Sequence, residues 1–299
     1  MSFLSPFGKA GQWFKGNLHT HTTRSDGKLT PDQNMQWHAD HGYHFVGLTD
    51  HNRVTDPLAF NARPPLLAIP SVEISARRGE VEYHIVTIGV RSMPIAHNQD
   101  PQATIDAVNA AGGLCFIAHP YWHDHTLDDL LALRGHIGIE IFNTGCWLEI
   151  NKGHSLVHWD GVLRRGQRVW GLAVDDSHFA YPDHGRGWVM VHAVRLDEAS
   201  ILDALRQGQF YSTMGPEIYD VQIKGRQATV RCSPARSIFL VGDIYHCPNA
   251  AQAWEGHPLT QATFKLHPQQ RYLRVEVVDL NYQSAWTNAC FVEPSAPGA

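Results

Sequence analysis

The sequence predicts an α/β protein: a barrel-like, mostly parallel sheet over residues 1–212, followed by a small β-rich, sandwich-like module over residues 213–299. Three observations carry this reading. Through about the first 210 residues, short apolar segments rich in β-branched residues alternate with helical patterns, as repeated β-α units do. After Thr213 the helical patterns stop, and short strands alternate with Gly, Pro, Asn and Gln. The histidines are also unevenly placed: of 20, 17 lie at or before His192, which puts histidine chemistry in the first part.

Taken in order, strands are expected at residues 16–22, 45–49, 66–75, 82–90, 114–119, 137–142 and 169–174. The first helix is marked by Thr30 as N-cap, Pro31 at the first helical position, Gln33 completing a capping box and Gly42 near the stop. Further helices are expected at 101–111, 127–133, 154–165 and 197–207. Beyond 213 the expected strands are 220–224, 228–232, 238–241 and 272–278, ending in a frayed tail at 294–299.

Composition narrows the function. With 24 basic and 29 acidic residues, a formal charge of −5 and no run of like charges, a nucleic-acid surface is not expected. The five cysteines, Cys115, Cys146, Cys232, Cys247 and Cys290, form no C-x-x-C pair, which fits a reducing compartment and excludes thiolate-held zinc as the leading reading. No apolar run of 18 residues and no leader pattern occurs, so no membrane association and a cytoplasmic location are expected.

The chemistry lies in a series of strand-end motifs. His19 and His21, at i and i+2 on an extended segment, face the same way and can hold one ion. Asp26 follows in a Ser-Asp-Gly turn. A buried strand runs out into Asp50 and His51, with Asp50 expected to orient a ligand. Glu73 sits among apolar strand residues, where a carboxylate is costly to bury unless a cation compensates it. His84 and His119 lie in or at the ends of apolar strands. The strand at 169–174 ends in Asp175, Asp176, Ser177 and His178, where Asp176 and His178 repeat the alternate spacing and Asp175 is expected to fix the tautomer of a ligand histidine. Singly these signals are weak. Together they supply nitrogen and oxygen donors suited to two or three divalent ions of Zn, Mn or Fe.

In that order, His19-Thr20-His21, Ser25-Asp26-Gly27, Thr49-Asp50-His51, Glu73, His84, His119-Pro120 and Asp176-Ser177-His178 closely resemble the motifs of the PHP (polymerase and histidinol phosphatase) superfamily of metallohydrolases. The resemblance implies a distorted (β/α)7 barrel with a trinuclear site. It implies one ion on His19, His21, Glu73 and Asp176, a second on the shared Glu73 with His84 and His119, and a third on Asp26, His51 and His178. The segments Trp13–His19, Phe210–Pro216 and Ala285–Asn288 are similar to the CehA/McbA (carbaryl-hydrolase-like) branch, which includes ester and carbamate hydrolases.

The leading expectation is therefore hydrolysis of a small phosphate mono- or diester by a metal-bridging hydroxide. His178 is expected to protonate the leaving group and Asp176 to act within the reacting centre. An arginine, drawn from Arg24, Arg53, Arg77, Arg78 and Arg186, would neutralise the phosphate oxygens, with Arg186 placed nearest the reaction. Asn143 is expected to form a polar wall, and Tyr121 and Trp122 to shape the pocket. The alternatives are a carboxylic-ester or carbamate hydrolase and, in another class, a non-catalytic metal-binding barrel.

Overall fold

The computed structural model describes residues 6–59, 66–244, 249–254 and 256–291, so Cys247 and the expected tail at 294–299 lie outside the described residues. Strand β1 (Gln12–Asn17) is followed by α1 (Pro31–Asp40), β2 (Phe45–Leu48), β3 (Leu67–Arg78), β4 (Val81–Ile88), α2 (Pro101–Ala110), β5 (Leu114–Ile117), α3 (Leu127–Leu131), β6 (Gly138–Asn143), α4 (Thr144–Ile150), α5 (Leu156–Arg164) and β7 (Trp170–Val174). Then come β8 (Trp188–Ala193), α6 (Glu198–Arg206), β9 (Phe210–Thr213), β10 (Ile218–Lys224), β11 (Gln227–Gly242), β12 (Ala250–Gln252), β13 (Leu259–Lys265), β14 (Tyr272–Asp279), β15 (Ser284–Thr287) and β16 (Cys290–Phe291).

The result is a mixed α/β protein built on one large sheet. Strands β1 to β7 pair in sequence order, parallel at β1–β2, β2–β3, β5–β6 and β6–β7. The expectation of a mostly parallel sheet needs correcting at β4, which is antiparallel to both neighbours. The cause is local: only Gly79 and Glu80 separate β3 from β4, and Gly79 at φ 61 makes the tight reversal, whereas a parallel pairing needs a crossover of about a dozen residues. Where β1 pairs with β2, Gly16 lies so close to Phe45 that a Cβ would stand 2.0 Å from the ring.

The first helix forms as expected. Thr30 and Gln33 make the reciprocal capping box, Pro31 opens the helix, and Asn34, Met35 and His38 are buried. The first strand does not occupy 16–22. It stops at Asn17, whose side-chain oxygen accepts the His19 amide at 3.3 Å and the Asp175 amide at 3.4 Å, taking the chain out of the β1–β2 ladder. The segment beyond it meets the segment beyond β7: His21 N donates to Ser177 O at 2.8 Å and Asp176 N to His19 O at 2.9 Å. The two ends of the β1–β7 path are thereby hydrogen-bonded to each other.

On its other edge β1 pairs antiparallel with β8, β8 with β9, and β9 with β15, so the C-terminal strands continue the same sheet. Trp286 of β15 is fully buried in the core cluster that contains Phe142 and Trp159. A second tie is electrostatic. The Arg274 guanidinium of β14, with a side chain only 3% exposed, makes a two-pronged pair with Asp160 of α5, both bonds 2.8 Å, and touches Glu276 at 3.1 Å.

Because removing Asp160 takes away both prongs of the pair and leaves the buried guanidinium with Glu276 alone, Asp160→Ala should cost about 3 kcal/mol of stability. Urea unfolding checks this, and a loss below about 1 kcal/mol, typical of an exposed pair, would count against it.

Candidate metal centre

The strand ends carry the chemistry into one buried cluster. His19 and His21 are both fully buried beyond the end of β1, while Thr20 between them turns the other way, 2.7 Å from Ser177 Oγ and accepting from Asn34 Nδ2 at 2.9 Å. Glu73, buried within β3, faces histidines with both oxygens. Its Oε2 lies 3.3 Å from His19 Nε2, 3.3 Å from His21 Nε2 and 3.0 Å from His51 Nδ1. Its Oε1 lies 2.9 Å from His84 Nδ1 and 3.3 Å from His119 Nε2. Asp176, held at φ 52, places Oδ1 3.1 Å from His19 Nε2 and 3.0 Å from His21 Nε2. Asp26 stands 3.6 Å from His21 Nδ1, 3.6 Å from His51 Nε2 and 3.4 Å from His178 Nε2. All nine residues singled out as ligands in the sequence are thus brought together.

The donor set fits divalent ions. Two donors bonded at about 2.1 Å to one ion stand roughly 3 Å apart, which is the spacing seen across this cluster. Candidate groups are His19, His21 and Asp176; His51, Glu73 and His84; and His21, Asp26, His51 and His178. Glu73 Oε2 is buried without a hydrogen-bond partner although three imidazoles surround it, an arrangement that a shared cation satisfies.

The supporting groups differ in part from expectation. Among the described residues Asp50 bonds to no histidine: it accepts from Thr22 N and Oγ1, Ser25 Oγ and Thr55 Oγ1, fastening the loop that carries Asp26. Asp175 likewise fixes no imidazole. It accepts from the amides of Gly185, Arg186 and Gly187, from Asn17 Nδ2 and from Thr144 Oγ1, anchoring the loop after β7. The tautomer of a ligand histidine is set by Glu140, which the sequence reading missed. Its Oε1 is 2.6 Å from His19 Nδ1, while Oε2 accepts the His119 amide at 2.8 Å and Asn143 Nδ2 at 2.9 Å. The signal was the same as for Glu73, a carboxylate inside an apolar strand. Asn143 is not a pocket wall; it is buried, donates also to Asp176 Oδ2 at 3.0 Å and caps α4.

An open cleft of about 370 Å³ leads to the cluster, walled by Lys28, Trp122, Gly145, Cys146, Glu149, Ala180 and Tyr181. None of the five candidate arginines lines it. Arg53 is exposed, Arg77 and Arg78 pair with Glu82 and Asp100, and the Arg186 side chain turns to the Pro182 carbonyl at 3.2 Å. The cation in the wall is Lys28, whose amide donates to His178 O at 2.8 Å. His178 Nδ1 lies 3.1 Å from the Asp176 carbonyl, which can only accept, so Nδ1 donates there, and Nε2 faces the Asp26 carboxylate at 3.4 Å.

Electrostatics follow from this crowding. Burial pushes His21 down, but Asp176 and Glu73 outweigh it and lift it to about 9. His19 is raised against burial by Asp176, Glu73 and Glu140, and His178 by Asp26. Glu73 is held well below the ordinary carboxylate range, because His84 and His19 overcome the cost of burying it.

No protein-family profile and no curated protein matches this sequence. Among solved structures, a two-domain protein from Bacteroides vulgatus containing a predicted PHP-like metal-dependent phosphoesterase is 15% identical, with a TM-score of 0.51 over 99% of this chain and 91% of its own. The lesion-specific endonuclease EndoQ of Pyrococcus furiosus is 14% identical, with a TM-score of 0.44 over 65% of this chain and 56% of its own. An amidohydrolase from Chromobacterium violaceum is 19% identical, with a TM-score of 0.42 over 55% and 87%. The first likeness spans nearly the whole chain and shows a shared fold. Among the described residues, no helix is long and apolar enough to cross a membrane.

Two outcomes are expected. Glu140→Gln should leave the fold intact and weaken metal retention about 10–100-fold, as loss of an orienting carboxylate does; competition with a chelator measures this, and unchanged retention would sink the role given to Glu140. Since His21 near 9 and the raised His19 hold protons in the metal-free protein, an incoming ion must displace them. Affinity should therefore rise from pH 6 toward 9, and at pH 7.5 the heat of binding should depend on the ionisation enthalpy of the buffer. A buffer-independent heat would refute it.

Proposed function

We propose that the protein is a PHP-type metal-dependent hydrolase of small phosphate esters. The observation that carries the reading is Glu73, a buried carboxylate with each oxygen turned to its own set of histidines. In this reading β1–β7 form the distorted (β/α)7 barrel, residues 213–299 form the β-rich module, and three ions of Zn, Mn or Fe divide the nine ligands as the sequence motifs suggest. Such ions supply Lewis acidity and a nucleophile drawn from water at neutral pH.

The chain's own residues do the rest. Glu140 and Asn143 fix His19, His119 and Asp176, so the donors need no reorganisation. Asp50 and Asp175 anchor the loops that carry Asp26 and His178. Lys28 supplies the charge at the mouth that a phosphate needs, the part assigned in the sequence to an arginine. Trp122, Ala180 and Tyr181 give the cleft an apolar side that favours a second reading, hydrolysis of a neutral carboxylic or carbamic ester.

Turnover of aryl phosphate mono- and diesters against aryl acetates and carbamates separates the two. Phosphate-ester activity is expected, with Lys28→Gln lowering kcat/KM about 10-fold, mainly through KM, as loss of a hydrogen bond to a charged group implies. Ester turnover without phosphatase activity would overturn the preferred reading.

A further inference from the structure

His123 lies outside the nine motif residues, yet the structure places it against the centre. The chain leaves β5 at His119 and folds back at once: Trp122 N and His123 N both donate to His119 O, at 3.0 and 3.3 Å, and Asp124 adopts φ 55. Beyond it, His125 is pinned by Nε2 to Glu82 O at 2.7 Å, on the strand that carries His84. The ring of His123 is thereby set 4.8 Å from that of His84 and 4.9 Å from that of His119, centroid to centroid. One ring nitrogen from each of these three residues lies within 4.8 Å of the others.

The hydrogen-bond pattern separates His123 from three other enclosed histidines. His38, His125 and His136 each direct a ring nitrogen at a backbone carbonyl, Asn34, Glu82 and Gly138 respectively. Among the described residues the His123 ring has no hydrogen-bond partner, and its Nε2 is buried. A buried imidazole nitrogen with no protein partner, beside two histidines that share a carboxylate oxygen, is a donor without an acceptor for its lone pair.

We propose that His123 is an additional ligand of the ion held by Glu73 Oε1, His84 and His119, which gives that ion three imidazoles and one carboxylate. The inference rests on the metal-centre reading above. Nitrogen-rich ligation of this kind selects zinc or iron over magnesium.

The test uses the full chain stripped of metal and titrated with Co2+, following the visible absorption and the metal bound per chain by elemental analysis. His123→Ala and, as the positive control, His84→Ala should each lose one tightly bound ion or require at least 10-fold more Co2+ to fill it, with an altered absorption band. His123→Gln, closer in volume, serves if alanine loosens the loop, and the melting temperature reports folding. Unchanged stoichiometry, midpoint and band in the folded His123 variant, while His84→Ala changes all three, overturns the role of His123 alone. No change in either variant overturns the metal-centre reading with it.

Discussion

A carboxylate sealed from water among aliphatic strand residues is the constraint around which this protein is arranged. Glu73 cannot be charged in that position without positive charge on several sides, and the fold delivers it through five histidines, one within β4 and the others on the segments that follow β1, β2 and β5. In the metal-free state the histidines carry that charge as protons; with ions present, the ions carry it. The need to aim both oxygens of one side chain at different partners explains why β3 is long enough to continue past β2, pair with β4 and bring His84 alongside.

Much of the centre was legible from residue order. His19 and His21 share a face because alternate residues of extended chain do, and Asp176 and His178 repeat that spacing. Glu73 betrayed itself by being charged in an apolar run. What was not legible had a common cause: it depends on contacts between segments far apart in the sequence. Asp50 and Asp175 look like partners for the histidines near them, but their acceptors are used up by hydroxyls and amides of returning loops. Glu140 acts on His19 across 121 positions: its charge inside an apolar strand marks the residue, but nothing near it in the sequence names its partner. The five arginines lie near the motifs along the chain, whereas the wall of the cleft is set by how the loop after Asp26 packs against His178, and that puts Lys28 there.

The fold was predictable at the level of alternating strands and helices and less so in its pairings. Reversal of β4 follows from a two-residue turn that could be read, but the early end of β1 arises from Asn17 trading ladder bonds for bonds to the chain after β7. That exchange positions the two paired motifs against each other, so the departure from regular strand geometry and the assembly of the centre are the same event.

The burial of Trp286 beside Phe142 and the pairing of β15 with β9 bear on how the chain is made. A ribosome delivers residues 1–212 long before residue 286. Throughout that interval the nascent first part of the chain has an open sheet edge at β9 and an unfilled place in its core. The segments that carry the candidate ligands have all emerged by then, but the packing that steadies β6 is completed only when β15 arrives. Ordering of the candidate metal centre is thus tied to the arrival of β15, and a product truncated before it exposes an adhesive β-edge beside a half-built cluster.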